Sequence, residues 1–280
     1  MSSDVDLVVE AINGLKSNVF KDYIFPIGTL GISAFVGLKT SFYAIRYSED
    51  VKADIHKIKV LNQTLLSANQ IRSSLMAIKT NYYGKIQSHP IQRALAIPPL
   101  ASTPIIPQFN PVDLSFLADQ ISLNNLEEHK WIRIEYIDTL FRNFHNVVQQ
   151  WQLLTNEKRS VAPQLNGLMG IGLNTEQLIN ALGREKLCKL IDLTEQTLLL
   201  TDQLLIEISC FLIAFPDISG EFVSKQNRKR YGGMLRFELP DKSDAKSLLS
   251  ACPPLDFAEC ASVLGTTIEE LKHRYRPIYV

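Results

Sequence analysis

The segment from Tyr23 to Ile45 restricts the fold of this chain more than any other feature, because its 23 residues carry a single charge, Lys39. At about 1.5 Å per residue, a helix of that length measures about 34 Å, and the hydrocarbon core of a bilayer is about 30 Å thick. We therefore predict a transmembrane anchor at residues 23–45. A buried core helix at the start of a soluble bundle is the alternative, since only the 16 residues from Tyr23 to Leu38 are free of charge.

Aromatic residues stand near both ends of this segment, where the rings would lie at the headgroup layers. Pro26 falls in the first turn of the predicted helix, where its missing N–H costs little, and the long stem of Lys39 allows its ammonium to reach the membrane surface. The predicted anchor residues are Tyr23, Phe25, Pro26, Phe35, Phe42 and Tyr43.

The short N-terminal tail, residues 1–22, contains four acidic residues, whereas a cleaved signal peptide begins with a basic region. We therefore expect the anchor to be retained. Basic residues lie mainly after it, and Lys and Arg favour the cytoplasmic side of a membrane. We predict a single-pass membrane protein whose C-terminal part is cytoplasmic. The predicted basic juxtamembrane residues are Lys39, Arg46, Lys52, Lys57 and Lys59.

The four cysteines, Cys188, Cys210, Cys252 and Cys260, show neither CxxC spacing nor paired histidines. This pattern excludes the common zinc and redox motifs. Free cysteines of this kind are mostly buried thiols, so we predict a reducing compartment, in agreement with a cytoplasmic C-terminal part.

Residues 46–221 are predicted to form a cytosolic helical bundle. From Val51 to Ile86 apolar residues recur every 3.5 residues on average, which is typical of a helix in a coiled coil or in a bundle. Between Lys39 and Arg93 nine basic residues stand against three acidic ones. Such a basic outer face lies either near anionic lipid or in solvent. Six prolines within residues 90–111 then predict a Pro-rich connector between two arms of a hairpin.

Two further long helices are predicted. The first covers residues 113 to about 159, and large apolar side chains on one stripe are expected to pack against a partner helix or in a core. The members of this partner-helix stripe are Ile137, Phe141, Phe144, Val148 and Trp151. The second begins at Asn174 or Thr175 and ends at Pro216, and the segment from Asn174 to Glu221 is net acidic. Opposite charge favours its pairing with the basic first helix.

Residues 222–280 are predicted to form a small α+β tail. A basic run, Lys225 to Arg230, precedes residues 234–239, whose alternating side chains predict a strand. The stretch FAECASVLGTTIEELKHRYR follows and places a glycine between two apolar helical patterns. It resembles a helix-turn-helix fragment, or the second half of a LysM module. Glu269 and Glu270 lie beside Lys272 in its second helix, a mixed charge that is poorly suited to DNA phosphates.

No HExxH, P-loop, GxSxG or other catalytic motif is found in the sequence, and the histidines are scattered. We therefore predict no enzymatic activity, no cofactor and no metal site. Lys and Arg number 29, as do Asp and Glu, so the net charge gives no general attraction to nucleic acid.

The sequence thus predicts a mainly α-helical protein with an N-terminal transmembrane helix, a long-helix antiparallel bundle and a small α+β tail. The predicted function is that of a membrane-anchored helical scaffold or adaptor facing the cytoplasm. Its expected partners are membrane lipid and either another protein or a second copy of the chain. The alternative function is a membrane-tethered sensor or effector, in stress or antiviral defence, whose C-terminal tail contacts nucleic acid.

Overall fold

The computed structural model of the chain describes residues 5–10, 25–121, 130–165 and 175–277. The chain divides into two compact units, Met1–His56 and Lys57–Val280. Three long helices are present: α1 (Phe25–Thr80), α4 (Ile134–Leu165) and α6 (Arg184–Ser219). The shorter helices are α2 (Pro90–Ala96), α3 (Ser115–Ile121), α5 (Thr175–Leu182), α7 (Lys225–Tyr231), α8 (Ser243–Ser247), α9 (Phe257–Leu264) and α10 (Ile268–Arg274). The prediction of a mainly helical protein with a helical bundle is confirmed.

The first unit contains a helical stretch at residues 5–10 and the N-terminal part of α1. Every residue of α1 from Ser33 to Asp50 is exposed. The predicted boundary at residue 45 does not exist as a break in secondary structure, because α1 continues without interruption to Thr80. No Pro or Gly lies between Leu38 and Thr80 to end the helix.

The second unit is built on the predicted apolar stripe of α1. Its side chains from Ile58 to Ile78 are buried, and Tyr82 and Ile86 remain buried beyond the end of the helix. α1 and α6 run antiparallel, since Lys57 bonds the carbonyl of Phe222 and Lys79 pairs with Asp202. The bundle is therefore formed by one chain that folds back on itself.

α4 packs against α6 over most of its length and completes the core. Trp151 donates a hydrogen bond to Thr201 Oγ1 at 2.9 Å and stacks on Tyr82 of the α1 side, with ring centroids 5.6 Å apart. Six residues further along α4, Glu157 pairs with Lys189 at 2.6 Å. Trp151 of the α4 stripe therefore contacts both α6 and the turn that follows α1.

The ends of the later helices differ from the prediction at particular residues. α4 continues through Pro163 to Leu165, and α6 continues through Pro216 to Ser219, although each proline removes one i→i−4 hydrogen bond from its helix. Gly183, with φ of 79°, separates α5 from α6, a break that the sequence reading missed. Residues 166–174 lie outside the described residues.

The Pro-rich connector is only partly extended. Pro90 stands in the first turn of α2, where a proline fits a helix well. Residues 97–110 then contain no helix, and a short 3₁₀ turn, Pro111–Leu114, leads into α3. The prolines therefore end one helix and begin another.

The predicted strand in the C-terminal tail is wrong, since residues 175–277 contain no strand. Residues 232–240 are extended, but they lie along α1 and have no neighbouring strand. The Asn62 side chain takes the place of one: its amide donates to the carbonyl of Gly233 at 3.1 Å and its oxygen accepts the N–H of Leu235 at 2.8 Å. Met234 and Phe237 are partly buried against the core whereas Leu235 is exposed, so the inward-facing residues are three apart and do not alternate.

The helical hairpin at the end of the tail agrees with the predicted pattern. Gly265 adopts the left-handed conformation, with φ of 69°, between α9 and α10. Thr267 and Glu270 form a capping box at the start of α10. The hairpin docks on α6, where Asp192 accepts hydrogen bonds from Arg274 and from the hydroxyl of Tyr275.

Candidate functional site

The first candidate site is the exposed apolar part of α1. Its bulky side chains are each between half and seven tenths exposed: Leu30, Phe35, Val36, Leu38, Phe42, Tyr43, Ile45 and Tyr47. They are not confined to one side, since successive residues are rotated by about 100°. Val36 and Ile45 therefore point in opposite directions. A helix that is apolar on all sides is usually covered by protein or by lipid.

The predicted anchor and juxtamembrane residues of this unit lie along that helix. Phe35, Phe42 and Tyr43 are exposed, and with Leu38 they line a shallow apolar surface that also includes the stems of Lys39 and Arg46. Tyr23 and the side chains of Phe25 and Pro26 lie outside the described residues. Lys52 is exposed as well.

By length and composition, one helix of the described ranges is apolar enough to cross a membrane: Arg184–Phe222, which contains α6. The described part of α1, which begins at Phe25, does not meet the same criterion. However, 61% of the apolar window of α6 is buried inside the protein. Glu207, within α6, accepts hydrogen bonds from Lys130 at 2.6 Å and from the Tyr136 hydroxyl. These features are those of the core helix of a bundle.

The second notable feature is a buried charged cluster between α1, α6 and residues 250–253. Lys79 is fully buried, and its ammonium lies 2.5 Å from Asp202 and 2.5 Å from the carbonyl of Ser250. Asp202 also accepts the backbone N–H of Cys252 at 2.6 Å. The pair thus binds the C-terminal tail to two long helices at once.

A second buried ion pair lies about two turns away along α6. Arg93 of α2 contacts Glu195 at 2.7 Å, and each side chain is 4% exposed. Arg93 also donates to the carbonyls of Gln87 and Pro253, at 3.0 and 2.6 Å. Burial raises the pKa of Glu195 above its usual value, and the hydrogen bond and charge of Arg93 oppose that rise. Both pairs are fully used in packing and offer no open site.

Lys158 is a buried cation without a carboxylate neighbour in the described residues. Its ammonium donates to the carbonyls of Ala94 and Ile97, the latter at 2.6 Å, at the C-terminal end of α2. Carbonyls at a helix C-terminus attract positive charge. Burial lowers its pKa to about 8. The position of the side chain, enclosed at 8% exposure, indicates a structural role.

The predicted partner-helix stripe is in the core. Ile137, Phe141, Phe144, Val148 and Trp151 are all buried. Their neighbours, such as Thr201 of α6 and Tyr82 after α1, belong to the same chain. One outward apolar face of the bundle lies on α6, where Ile206, Cys210 and Ile213 follow one another at helical spacing and are exposed.

The cysteines give no sign of catalytic chemistry. Burial is the main cause that raises the pKa of both Cys252 and Cys260 to about 12, so their reactive thiolate forms are disfavoured near neutral pH. Among the residues that the structure describes, no group of three His, Cys, Asp or Glu side chains is placed to hold a metal ion.

The other two predicted juxtamembrane residues, Lys57 and Lys59, and the basic run of the tail lie at one end of the second unit. Lys57 is half-buried and donates to the carbonyl of Phe222 at 3.2 Å, while Lys59 is exposed. The basic run of the tail forms α7, immediately after Phe222. Sequence reasoning did not connect these two groups, because 165 residues separate Lys57 from Phe222.

In comparisons with known proteins, no family model, no curated protein and no solved structure matches this chain.

Proposed function

We propose that this chain is a membrane-anchored, non-enzymatic scaffold or adaptor whose apolar segment, residues 23–45, holds the helical bundle at the cytoplasmic face of a membrane. The observation that carries the proposal is the exposure of bulky apolar side chains around α1 from Leu30 to Tyr47. A single partner helix would cover one side of this segment, whereas lipid tails cover all of them.

The choice of this segment over α6 follows from the charges of α6. Its carboxylates at 195 and 202 pair with Arg93 and Lys79, which belong to the bundle. Moving α6 into lipid would separate both pairs and leave buried charges uncompensated, at a cost of about 3 to 5 kcal/mol for each pair. α6 is therefore assigned to the bundle, and the N-terminal segment to the membrane.

The scaffold part of the proposal is supported by the outward face of α6. Ile206, Cys210 and Ile213 expose apolar surface on a helix whose other sides are packed. Exposed apolar stripes of this kind are typical of protein interaction sites. Its proposed occupant is an apolar helix face of another protein or of a second copy of the chain.

The alternative function, a sensor or effector whose tail contacts nucleic acid, remains a prediction. The hairpin α9–α10 uses Arg274 to pair with Asp192 at 3.2 Å, so one of the cations suited to phosphate is engaged within the chain.

Membrane attachment is tested on the full-length chain by flotation on phosphatidylcholine vesicles followed by an alkaline wash. We expect the wild-type chain to stay with the vesicles. The double substitution Phe35→Asp, Val36→Asp places two charges near the middle of the segment, each costing about 3 kcal/mol of insertion free energy, and we expect it to be washed off. The matched control is Leu66→Asp, which adds a charge at an exposed apolar position of the bundle. Release of the wild-type chain would refute the anchor.

Self-association is tested by oxidative cross-linking of the full-length chain in vesicles. Cys210 is exposed, whereas Cys188 and Cys252 are half-buried and Cys260 is buried. A Cys210-dependent dimer that Cys210→Ser abolishes would identify a second copy as the occupant of the stripe. A different protein as occupant gives no such dimer, and Ile206→Asp would then release it from membranes without releasing the chain itself.

A further inference from the structure

The C-terminal helix α7 carries a concentrated positive charge whose position the fold determines. Its sequence, KQNRKRY, contains four basic residues and no acidic one. Lys225, Lys229 and Arg230 are exposed, and none of them forms a salt bridge within the described part of the chain. Glu221 is the single acidic residue between Gly220 and Tyr231.

Both ends of α7 are attached to the same short stretch of α1. Before α7, the carbonyl of Phe222 accepts a hydrogen bond from Lys57 at 3.2 Å. After α7, Gly233 and Leu235 bond the Asn62 side chain. Lys57 and Asn62 are about 8 Å apart along the helix axis. The basic helix is therefore held beside residues 57–62 of α1.

Packing at the base of α7 reinforces this position. Phe222 and Val223 are buried in the core, and Asn227 is buried on the inner side of the helix. The Arg228 guanidinium lies against Gly220, where an added Cβ would be 2.7 Å from Arg228 Nη1. Arg228 thus supports the helix, and the other three basic side chains are the ones presented to the outside.

Residues 57–62 are also the part of the second unit that the chain tethers most closely to the proposed anchor. Eleven residues lie between Ile45 and Lys57, and even a fully extended chain of that length keeps the two residues within about 40 Å of each other. If residues 23–45 lie in a membrane, this length of chain limits how far residues 57–62, and α7 beside them, can lie from its surface.

We infer that α7 is a second membrane contact, in which Lys225, Lys229 and Arg230 bind anionic lipid headgroups of the leaflet next to the bundle. The inference rests on the proposed membrane anchor and adds a partner chemistry to it. Each basic residue near an anionic surface increases binding roughly fivefold, and the attraction decays over about 10 Å at 0.1 M salt. The contact would fix the bundle against the membrane, so that the outward face of α6 has a defined direction.

The experiment compares the full-length chain in vesicles of phosphatidylcholine alone with vesicles that also contain phosphatidylserine. Hydroxyl-radical labelling of Tyr231, which is 41% exposed, reports on α7. Leu239, also 41% exposed, is the internal reference, because its neighbour Glu238 contacts Arg72, ten residues further along α1. We expect the Tyr231 to Leu239 labelling ratio to fall at least about threefold in the anionic vesicles at 0.1 M salt and to recover at 0.5 M salt.

Two variants with equal loss of charge distinguish a local contact from general attraction. In Lys225→Gln, Lys229→Gln, Arg230→Gln we expect the protection of Tyr231 to disappear. In Lys242→Gln, Lys246→Gln, Lys272→Gln, which removes three exposed lysines elsewhere, we expect it to remain.

The outcomes separate the two proposals. A chain that stays on both kinds of vesicle but shows no protection of Tyr231 overturns the inference and leaves the anchor standing. Protection that is the same on neutral vesicles, or the same in the α7 variant, also overturns it. Stronger protection by added duplex RNA than by anionic vesicles would make nucleic acid the partner of α7 and overturn the lipid assignment. If the chain leaves neutral vesicles, the anchor fails, and flotation on anionic vesicles that requires α7 would still support lipid binding.

Discussion

Replacing Asp202 by Asn should destabilise the bundle severely, although only one charge is lost. Lys79 is fully buried 2.5 Å from Asp202, so Asp202→Asn leaves an ammonium in the core without a counter-charge. Removing one partner of a buried ion pair costs about 3 to 5 kcal/mol. This is a large fraction of the 5 to 15 kcal/mol by which domains are usually stable. A Tm decrease of about 6 to 20 °C follows from 2 to 4 °C per kcal/mol.

Removing both charges should cost less than removing one. In Lys79→Met, Asp202→Asn no charge remains buried, and the Asn oxygen can still accept the N–H of Cys252. The carbonyl of Ser250 loses its donor, which costs about 1 to 3 kcal/mol. We therefore expect the double variant to be about 2 kcal/mol more stable than Asp202→Asn alone.

Urea unfolding of the full-length chain in a mild detergent, followed by tryptophan fluorescence, measures these free energies. Both tryptophans, Trp131 and Trp151, lie in the bundle, so the signal does not depend on the N-terminal segment. Asp217→Asn is the control, since Asp217 pairs with Arg236 on the surface and should contribute at most about 1 kcal/mol. Additive costs in the double variant, or a cost below about 1 kcal/mol for Asp202→Asn, would refute the assignment of an uncompensated buried charge.

Three further results are expected. Burial lowers the pKa of Lys158 to about 8, so from about pH 8 to 10.5 the unfolded chain binds a proton that the folded chain lacks. Across this pH range, the free energy of unfolding from urea titrations should rise in the wild type by up to about 3 kcal/mol more than in Lys158→Met. An equal pH dependence of the two proteins would contradict this. Asn62→Ala removes two hydrogen bonds to residues 232–240, so it should lower the free energy of unfolding by about 1 to 2 kcal/mol and speed tryptic cleavage after Arg236. Asn62→Asp should be intermediate because it keeps the acceptor for Leu235 N–H, and an unchanged cleavage rate would show that Asn62 does not hold this segment. Gly265→Ala forces an L side chain into φ of 69° and should cost about 1 to 2 kcal/mol in the same titration, more than Gly265→Asn does.

The periodic parts of the fold could be predicted because their apolar spacing repeats over many turns. The stripe of α1 from Ile58 to Ile78 is buried as its 3.5-residue recurrence indicates, and Ile55 is the member that is exposed, at 40%. The stripe of α4 is buried as well. In both helices the pattern identifies the inner face, although it does not say which chain supplies the other face.

Charged residues were the part that periodicity could not place. Lys79 and Arg93 were counted with a basic outer face, but they are buried and paired with Asp202 and Glu195. The opposite net charges of residues 39–93 and 174–221 predicted that these segments attract each other. Both buried pairs join these two segments, in agreement with that prediction. Nothing in the local sequence shows that the carbonyls of residues 250 and 253 would complete the coordination of both cations.

The candidate sites were predictable to different degrees. The apolar segment at the start of α1 stands out in the sequence by composition alone, and so does the basic run of α7. That α7 lies beside Lys57 and Asn62 depends on contacts across more than 160 residues, which no local pattern contains. The outward stripe of α6 was hidden within a helix that is apolar nearly throughout.

Residues 250–253 complete the hydrogen bonds of both buried ion pairs, and this has a consequence for folding during synthesis. A ribosome that has released α1, α4 and α6 has not yet supplied the carbonyls of Ser250 and Pro253, on which Lys79 and Arg93 depend. α1 is synthesised first, but Lys79 at its end bonds a carbonyl near the C-terminal end of the chain, and contacts over such sequence distances form slowly. Until residues 250–253 are in place, both buried cations lack these carbonyl acceptors.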